Sequence, residues 1–227
     1  MACGLGVARI IVHVLSILIT LVSVGLIASA ILSSGWQIMT ESGSGEIHQH
    51  GLWLDYNFVK PHVSGANHGH DDPNRYKWIF NYKFGEAVRG DEVHRAQPFQ
   101  VNALALLSTA MCLGLIGVLF SYCANLLVLL ALTWNICIFL ASVLAAAGLI
   151  QFYMTAMLPE NRYIFTDRRI EQVIGYSFWL GVFGTLGFGL AMIMSVVCTA
   201  LVLLGRRQGL KTERAPFTFK RGNNTQV

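Results

Sequence analysis

The sequence predicts an all-α membrane protein: a four-helix transmembrane bundle carrying a small extracellular β-sheet. The first observation behind this is composition. Of 227 residues, 54% are hydrophobic and only 12% charged, against about a quarter charged in soluble domains. Mean hydropathy is +0.54, too apolar for one core in a chain of this length. The second is the bunching of the charges, which leaves long gaps that match helices of about 20 apolar residues. The third is that all five prolines, at 61, 73, 98, 159 and 216, fall outside the apolar stretches, as required where a span must satisfy its backbone internally. A soluble globule is excluded as the leading architecture.

Residues 1–9 form a short N-terminal segment ending in Arg9. The first span covers 10–32, IIVHVLSILITLVSVGLIASAIL. Ala28-Ser29-Ala30 offers a signal-peptide cleavage pattern, but the preceding apolar run exceeds the roughly 7–15 residues of a signal core and continues past the cut, so insertion without cleavage is expected. From 96 to 159 the chain has no Asp, Glu, Lys or Arg, a length suited to two helices. The second span is placed at 101–120, a cytoplasmic turn at 121–125 (Ser121 to Asn125) and the third span at 126–154. A short loop at 155–175 leads to the fourth span at 176–204 and a basic tail at 205–227.

Orientation follows from the basic residues. The tail holds Arg206, Arg207, Lys211, Arg214, Lys220 and Arg221 against Glu213 alone, so both termini are expected in the cytoplasm. The loop at 33–100 is slightly acidic and the loop at 155–175 is balanced. The net charge of +4 is therefore a property of the tail, suited to anionic membrane lipid, and makes no case for nucleic acid.

The outer loop, 33–100, reads as folded. Tyr76, Trp78, Phe80, Tyr82 and Phe84 alternate with Lys77, Ile79, Asn81 and Lys83, the pattern of a half-buried strand whose aromatics wall a small core. Leu52, Leu54, Tyr56 and Phe58 alternate in the same way, and the Gly, Asn, Asp and Pro cluster between 64 and 74 supplies a turn.

Trp36 soon after the first span, Gly51-Leu52-Trp53 further into a long first loop, Arg95 before the second span, and four spans with inside termini together resemble the claudin and peripheral myelin protein superfamily. Gly175-Tyr176-Ser177-Phe178-Trp179 is also similar to the start of the fourth span in that superfamily, including its clarin and stargazin-like branches. The resemblance covers nearly the whole chain in architecture and about five residues in motif. It implies a claudin-like plasma-membrane protein for cell–cell junctions, adhesion or membrane organisation. The alternatives it implies are an auxiliary subunit of a channel or receptor, stargazin-like, and a clarin-like protein of sensory membranes. One departure stands out: claudins pair two cysteines soon after Gly-Leu-Trp, whereas here Tyr56 stands three beyond Trp53 and the loop has no cysteine. The five cysteines, at 3, 112, 123, 137 and 198, lie in the spans, near their inner ends or at the N-terminus, which leaves aromatic packing to hold the sheet.

Chemistry-bearing clusters are few. His48/His50 and His68/His70 form His-x-His pairs that could face zinc together with Asp71 or Asp72, but a solvated polar loop is the plainer reading and no metal or cofactor is assigned. No span contains a charged residue, so the signs of an ion pathway or proton relay are missing. His13, Asn102, Asn135 and Gln151 are read as interhelical hydrogen-bonding groups. No nucleophile elbow, phosphate loop or zincin motif is present, and an enzyme is not expected. Gly181, Gly184 and Gly187 in the fourth span, with Ala141 and Ala145 in the third, allow close helix approach, within the bundle or in a homo-oligomer or lateral channel or receptor complex. The last residues, Thr225, Gln226 and Val227, present a hydroxyl and a terminal aliphatic carboxylate suited to the groove of a PDZ-domain scaffold.

Overall fold

The computed structural model describes residues 2–41, 47–58, 75–78, 98–123, 128–158 and 170–213. Among these, α1 (Ala2–Leu32), α2 (Pro98–Cys123), α3 (Val128–Ala156) and α4 (Tyr176–Glu213) are the helices. Each contains one long apolar stretch capable of crossing a bilayer: Val7–Leu32, Pro98–Tyr122, Leu129–Ala156 and Tyr176–Gly205. The chain is a multi-pass membrane protein with a claudin-like fold. Pro98 opens α2 at the first helical position, where its missing N–H costs nothing. α4 outlasts its apolar stretch by two turns and carries Arg206 and Arg207 beyond it.

Hydroxyl side chains inside the helices are satisfied by the preceding turn. Thr20 donates to the Ser16 carbonyl at 2.8 Å, Ser23 to Ile19 at 2.8 Å and Thr109 to Ala105 at 2.8 Å. Such back-bonding lets polar residues sit in hydrocarbon. The outward faces are apolar, with Val22 62%, Leu119 67% and Leu186 64% exposed; only a lipid solvent makes so continuous an apolar surface stable. Exposed aromatics mark its two margins, Tyr122 at one end and Tyr153, Tyr176 and Trp179 at the other, as membrane interfaces favour.

Inside, α1 packs chiefly on α4 and α2 on α3. One buried cluster, including Ile27, Trp36, Leu52, Phe99, Leu107, Phe152, Phe178 and Phe188, fills the bundle towards the sheet. A second, around Trp134, Ile138, Ala191 and Cys198, fills the other end.

The sheet contains β1 (Gln37–Glu41), β2 (Ile47–His50), β3 (Leu54–Phe58), β4 (Arg75–Trp78) and β5 (Ile170–Ile174). Its order is β4-β3-β2-β1-β5 with antiparallel neighbours throughout. It is larger than the two strands expected from sequence. The sequence predicts a short loop over 155–175, and within it Ile170–Ile174 forms a strand that closes the sheet against β1. Neither QIMTE nor IEQVI alternates cleanly between apolar and polar: the Gln37 and Gln172 amides are buried, while Ile38 is half-buried and Val173 exposed. Residues 79–84 of the aromatic run lie outside the described residues.

Candidate functional site at the sheet–bundle joint

The sheet is tied to the helices at one compact joint. α1 ends at Leu32, Ser33 continues its ladder with one bond to the Ser29 carbonyl at 3.1 Å, and the chain then turns through Ser34 and Gly35 into β1. At Gly35 the chain crosses the start of α4. The Gly175 N–H donates to the Trp36 carbonyl at 3.0 Å and the Ser177 N–H to the Gly35 carbonyl at 2.9 Å. A Cβ at Gly175 would collide with the Gly35 carbonyl oxygen, and one at Gly35 with the Tyr176 ring. Only two glycines let these backbones pass. The Ser33 and Ser177 hydroxyls meet alongside at 2.7 Å.

Trp36 is the centre of the joint. It is fully buried, and its indole N–H donates to the Ala30 carbonyl at 2.6 Å, reaching back to one of the carbonyls orphaned at the end of α1. Its ring stands edge-on to Phe152, centroids 4.9 Å apart, and to Phe178 at 6.2 Å. Phe99 tilts onto Phe152 at 5.7 Å, and Phe152 stacks with Phe178 at 6.2 Å. The indole thus gathers α1, α3 and α4 at the start of β1, and α2 joins through Phe99 on Phe152. Edge-on and offset pairs of this kind add roughly 0.5–1.5 kcal/mol each beyond the area they bury.

Gly51-Leu52-Trp53 is a bend with divided duties. The Trp36 N–H donates to the His50 carbonyl at 3.1 Å, just before the bend. A Cβ at Gly51 would run into the Leu54 carbonyl oxygen and lie 2.9 Å from Ser34 Cα, so glycine is the residue that fits. Leu52 is buried in the core beside Trp36, while Trp53 faces outward, 37% exposed.

The strand register sorts the rest of the sheet into two faces. Gln37, Met39 and His50 are buried, and Gln172 and Ile174 pair on their side. Both side-chain polar atoms of Gln37 and of Gln172 are buried without a hydrogen-bond partner. On the opposite face Thr40 and Val173 are exposed, with Ile38, Gln49, Leu54 and Tyr56 half-buried. This outer face is where the described part of the sheet can meet another molecule. No cluster of three or more His, Cys, Asp or Glu lies among the described residues.

The helix-packing residues distribute themselves differently from a simple third-to-fourth-span seam. Gly184 and Gly187 approach α1: a Cβ at Gly184 would lie 2.7 Å from Ile27 Cγ1, and one at Gly187 would strike the Ser23 hydroxyl. Gly181 faces Leu149 and Trp36. Ala141 and Ala145 are fully buried in the sheet-side core. Hydrogen bonds also link helices: Ser16 donates to the Ala191 carbonyl at 3.1 Å, and the Asn135 amide to Thr199 Oγ1 at 2.9 Å. His13 stands edge-on to Trp134 at 5.0 Å, with Nδ1 3.8 Å from Cys198 Sγ. Arg95, Thr225, Gln226, Val227 and the histidines at 62, 68, 70 and 94 lie outside the described residues.

Sequence reasoning missed Phe99, Phe152 and the Gly35–Gly175 crossing. Only the Gly-Tyr-Ser-Phe-Trp run at 175–179 signalled the crossing in advance. A family model described as Clc-like matches residues 10–206, from the first span to just beyond the fourth. No curated protein matches the chain.

Proposed function

Because the chain belongs to the Clc-like family, whose relatives are the claudin and peripheral myelin proteins, we propose that it organises membranes at cell–cell contacts as a non-enzymatic protein. The observation that carries this reading is the joint. Trp36, Gly35 and Gly175 lock a five-stranded sheet onto a membrane bundle, so the sheet is presented in a fixed attitude. Pre-organised surfaces lose little conformational entropy on association.

In this reading the plasma membrane is the site of action and both termini are cytoplasmic, as the basic tail favours. The sheet then lies outside the cell, where its Thr40 and Val173 face meets a neighbour. Thr225, Gln226 and Val227 tether the tail to a PDZ scaffold by strand addition and carboxylate capture. The test is localisation, in confluent cells otherwise free of the protein, of the full chain and of a form lacking Thr225 to Val227, each tagged at the N-terminus. Enrichment at contacts, weakened by the deletion, is expected. A uniform surface signal in both forms would overturn the reading in favour of an auxiliary subunit missing its channel or receptor.

A further inference from the structure

Trp36 gathers helices at the sheet end of the bundle, and His13 does so at the other. Its ring stands edge-on to Trp134 of α3, with centroids 5.0 Å apart and an interplanar angle of 86°. Nδ1 lies 3.8 Å from Cys198 Sγ of α4, and the ring reaches the backbone of Ser121 near the end of α2. One side chain of α1 thus meets the three other helices. Trp134 and Cys198 belong to the buried cluster at this end, against which Val12 and Ile19 of α1 also pack. The Trp134 indole N–H is buried without a hydrogen-bond partner, so packing and the His13 ring hold it in place.

The surroundings suit a neutral imidazole. A neutral ring carries one donor and one acceptor nitrogen, which serve the thiol on one side and the Ser121 backbone on the other. An imidazolium needs a carboxylate beside it when it is taken out of water, and the four apolar stretches contain no Asp or Glu. The nearest charge is instead a cation. Arg9 stands one turn before His13 on the same face of α1, and its charge acts on both His13 and Cys198. Among the described residues, the ionisable groups facing the ring are Arg9 from α1 and Cys198 from α4; Ser121 and Trp134 bring none from α2 and α3. The neighbouring Tyr122 is exposed, and Arg206 and Arg207 stand further out along α4.

Protons reach this place from the near side of the membrane. His13 is half-buried and lies about 9 Å along the helix axis from Val7, where the apolar stretch begins. Imidazole is also the side chain whose charge ordinarily changes close to neutral pH.

We propose that His13 is a pH-sensitive latch at the end of the bundle away from the sheet: the neutral ring holds α1 against α2, α3 and α4, and its protonation loosens them. The stability that the latch contributes is present at neutral pH and lost as the pH falls and the ring takes up its proton. The latch rests on the bundle alone; that it reads the pH of the cytoplasm rests on the orientation proposed above.

The experiment follows the purified full chain in detergent from about pH 7.5 to about pH 5, either side of the ordinary imidazole value of about 6.5. Melting temperature is compared between the parent and His13→Gln. The loop histidines at 48, 50, 62, 68, 70 and 94 titrate in both, so the difference belongs to His13. Over this range the parent should lose about 2–4 °C more than the variant. The second readout is Trp134 emission, obtained as the difference between the parent and Trp134→Phe. It should fall severalfold with acid, because an imidazolium in contact with an indole quenches it, and this decides the matter even where His13→Gln fails to fold. Equal losses of melting temperature in the parent and His13→Gln would overturn the proposal. So would Trp134 emission that does not change with pH.

Discussion

Trp36→Ala is the perturbation that separates a clamped sheet from one merely attached by its chain. The indole is fully buried, touches Phe152 and Phe178 and donates to the Ala30 carbonyl at 2.6 Å. Truncating a buried aromatic to alanine costs about 3–5 kcal/mol, because the lost contacts add to the cavity left behind. The sheet and helices around the site are held by backbone crossings at Gly35 and Gly175 and cannot collapse freely, which favours the upper half of that range. Trp36→Phe keeps most of the packing and gives up the indole N–H bond, a loss of about 0.5–1.5 kcal/mol. The assay is thermal unfolding in detergent followed by a thiol-reactive dye, with Cys3, Cys112 and Cys123 replaced by serine so that Cys137 and Cys198 are the thiols left. Cys137 and Cys198 are buried and report opening of the bundle. Hydrogen exchange of β1 and β5 amides reports release of the sheet. Trp36→Ala should free the β1 and β5 amides at temperatures where the thiols are still protected, with Trp36→Phe close to the parent. Equal and small effects of the two substitutions would refute the idea that the indole organises the joint.

Gly184→Ala should destabilise by about 1–3 kcal/mol through overpacking, since its Cβ would meet Ile27 Cγ1 at 2.7 Å and the Ser23 carbonyl at 3.1 Å. Gly25→Ala, with nothing within 4 Å of the added carbon, should be neutral or stabilising by up to about 1 kcal/mol; the same dye assay ranks the pair. Gly175→Ala should loosen the joint without unfolding the bundle, because backbone meets backbone there and two hydrogen bonds are strained; faster β5 amide exchange with unchanged thiol protection is the expected signature. Gln37→Met should raise stability by about 1 kcal/mol, because it replaces a buried amide whose two polar atoms lack partners; a lower melting temperature would show that the amide is engaged in the native protein.

The helices were legible because a bilayer imposes a length on apolar segments and forbids charge within them, and both constraints are written in local composition. Trp36 and the Gly51-Leu52-Trp53 bend were legible only through family resemblance, and their division of labour was not. Nothing local says that Leu52 turns inward and Trp53 outward. β1 and β5 escaped because pairing between Gln37–Glu41 and Ile170–Ile174 spans more than a hundred residues, and their mixed faces carry no period-two pattern. The glycines of the fourth span announced a close approach without naming its partner. The structure assigns Gly184 and Gly187 to α1, where Ser23 is small enough to admit them. The absence of loop cysteines turned attention to aromatic packing in the loop; among the described residues, the aromatics gathered around Trp36 are Phe99, Phe152 and Phe178, which come from the helices.

The contact role is tested most directly in a mosaic monolayer, where cells expressing the tagged full-length chain are mixed with cells that lack it. The account predicts accumulation at borders between two expressing cells, severalfold above borders with a non-expressing neighbour, because the outer sheet face meets its counterpart across the gap. Equal signal at both kinds of border would contradict recognition between copies in facing membranes.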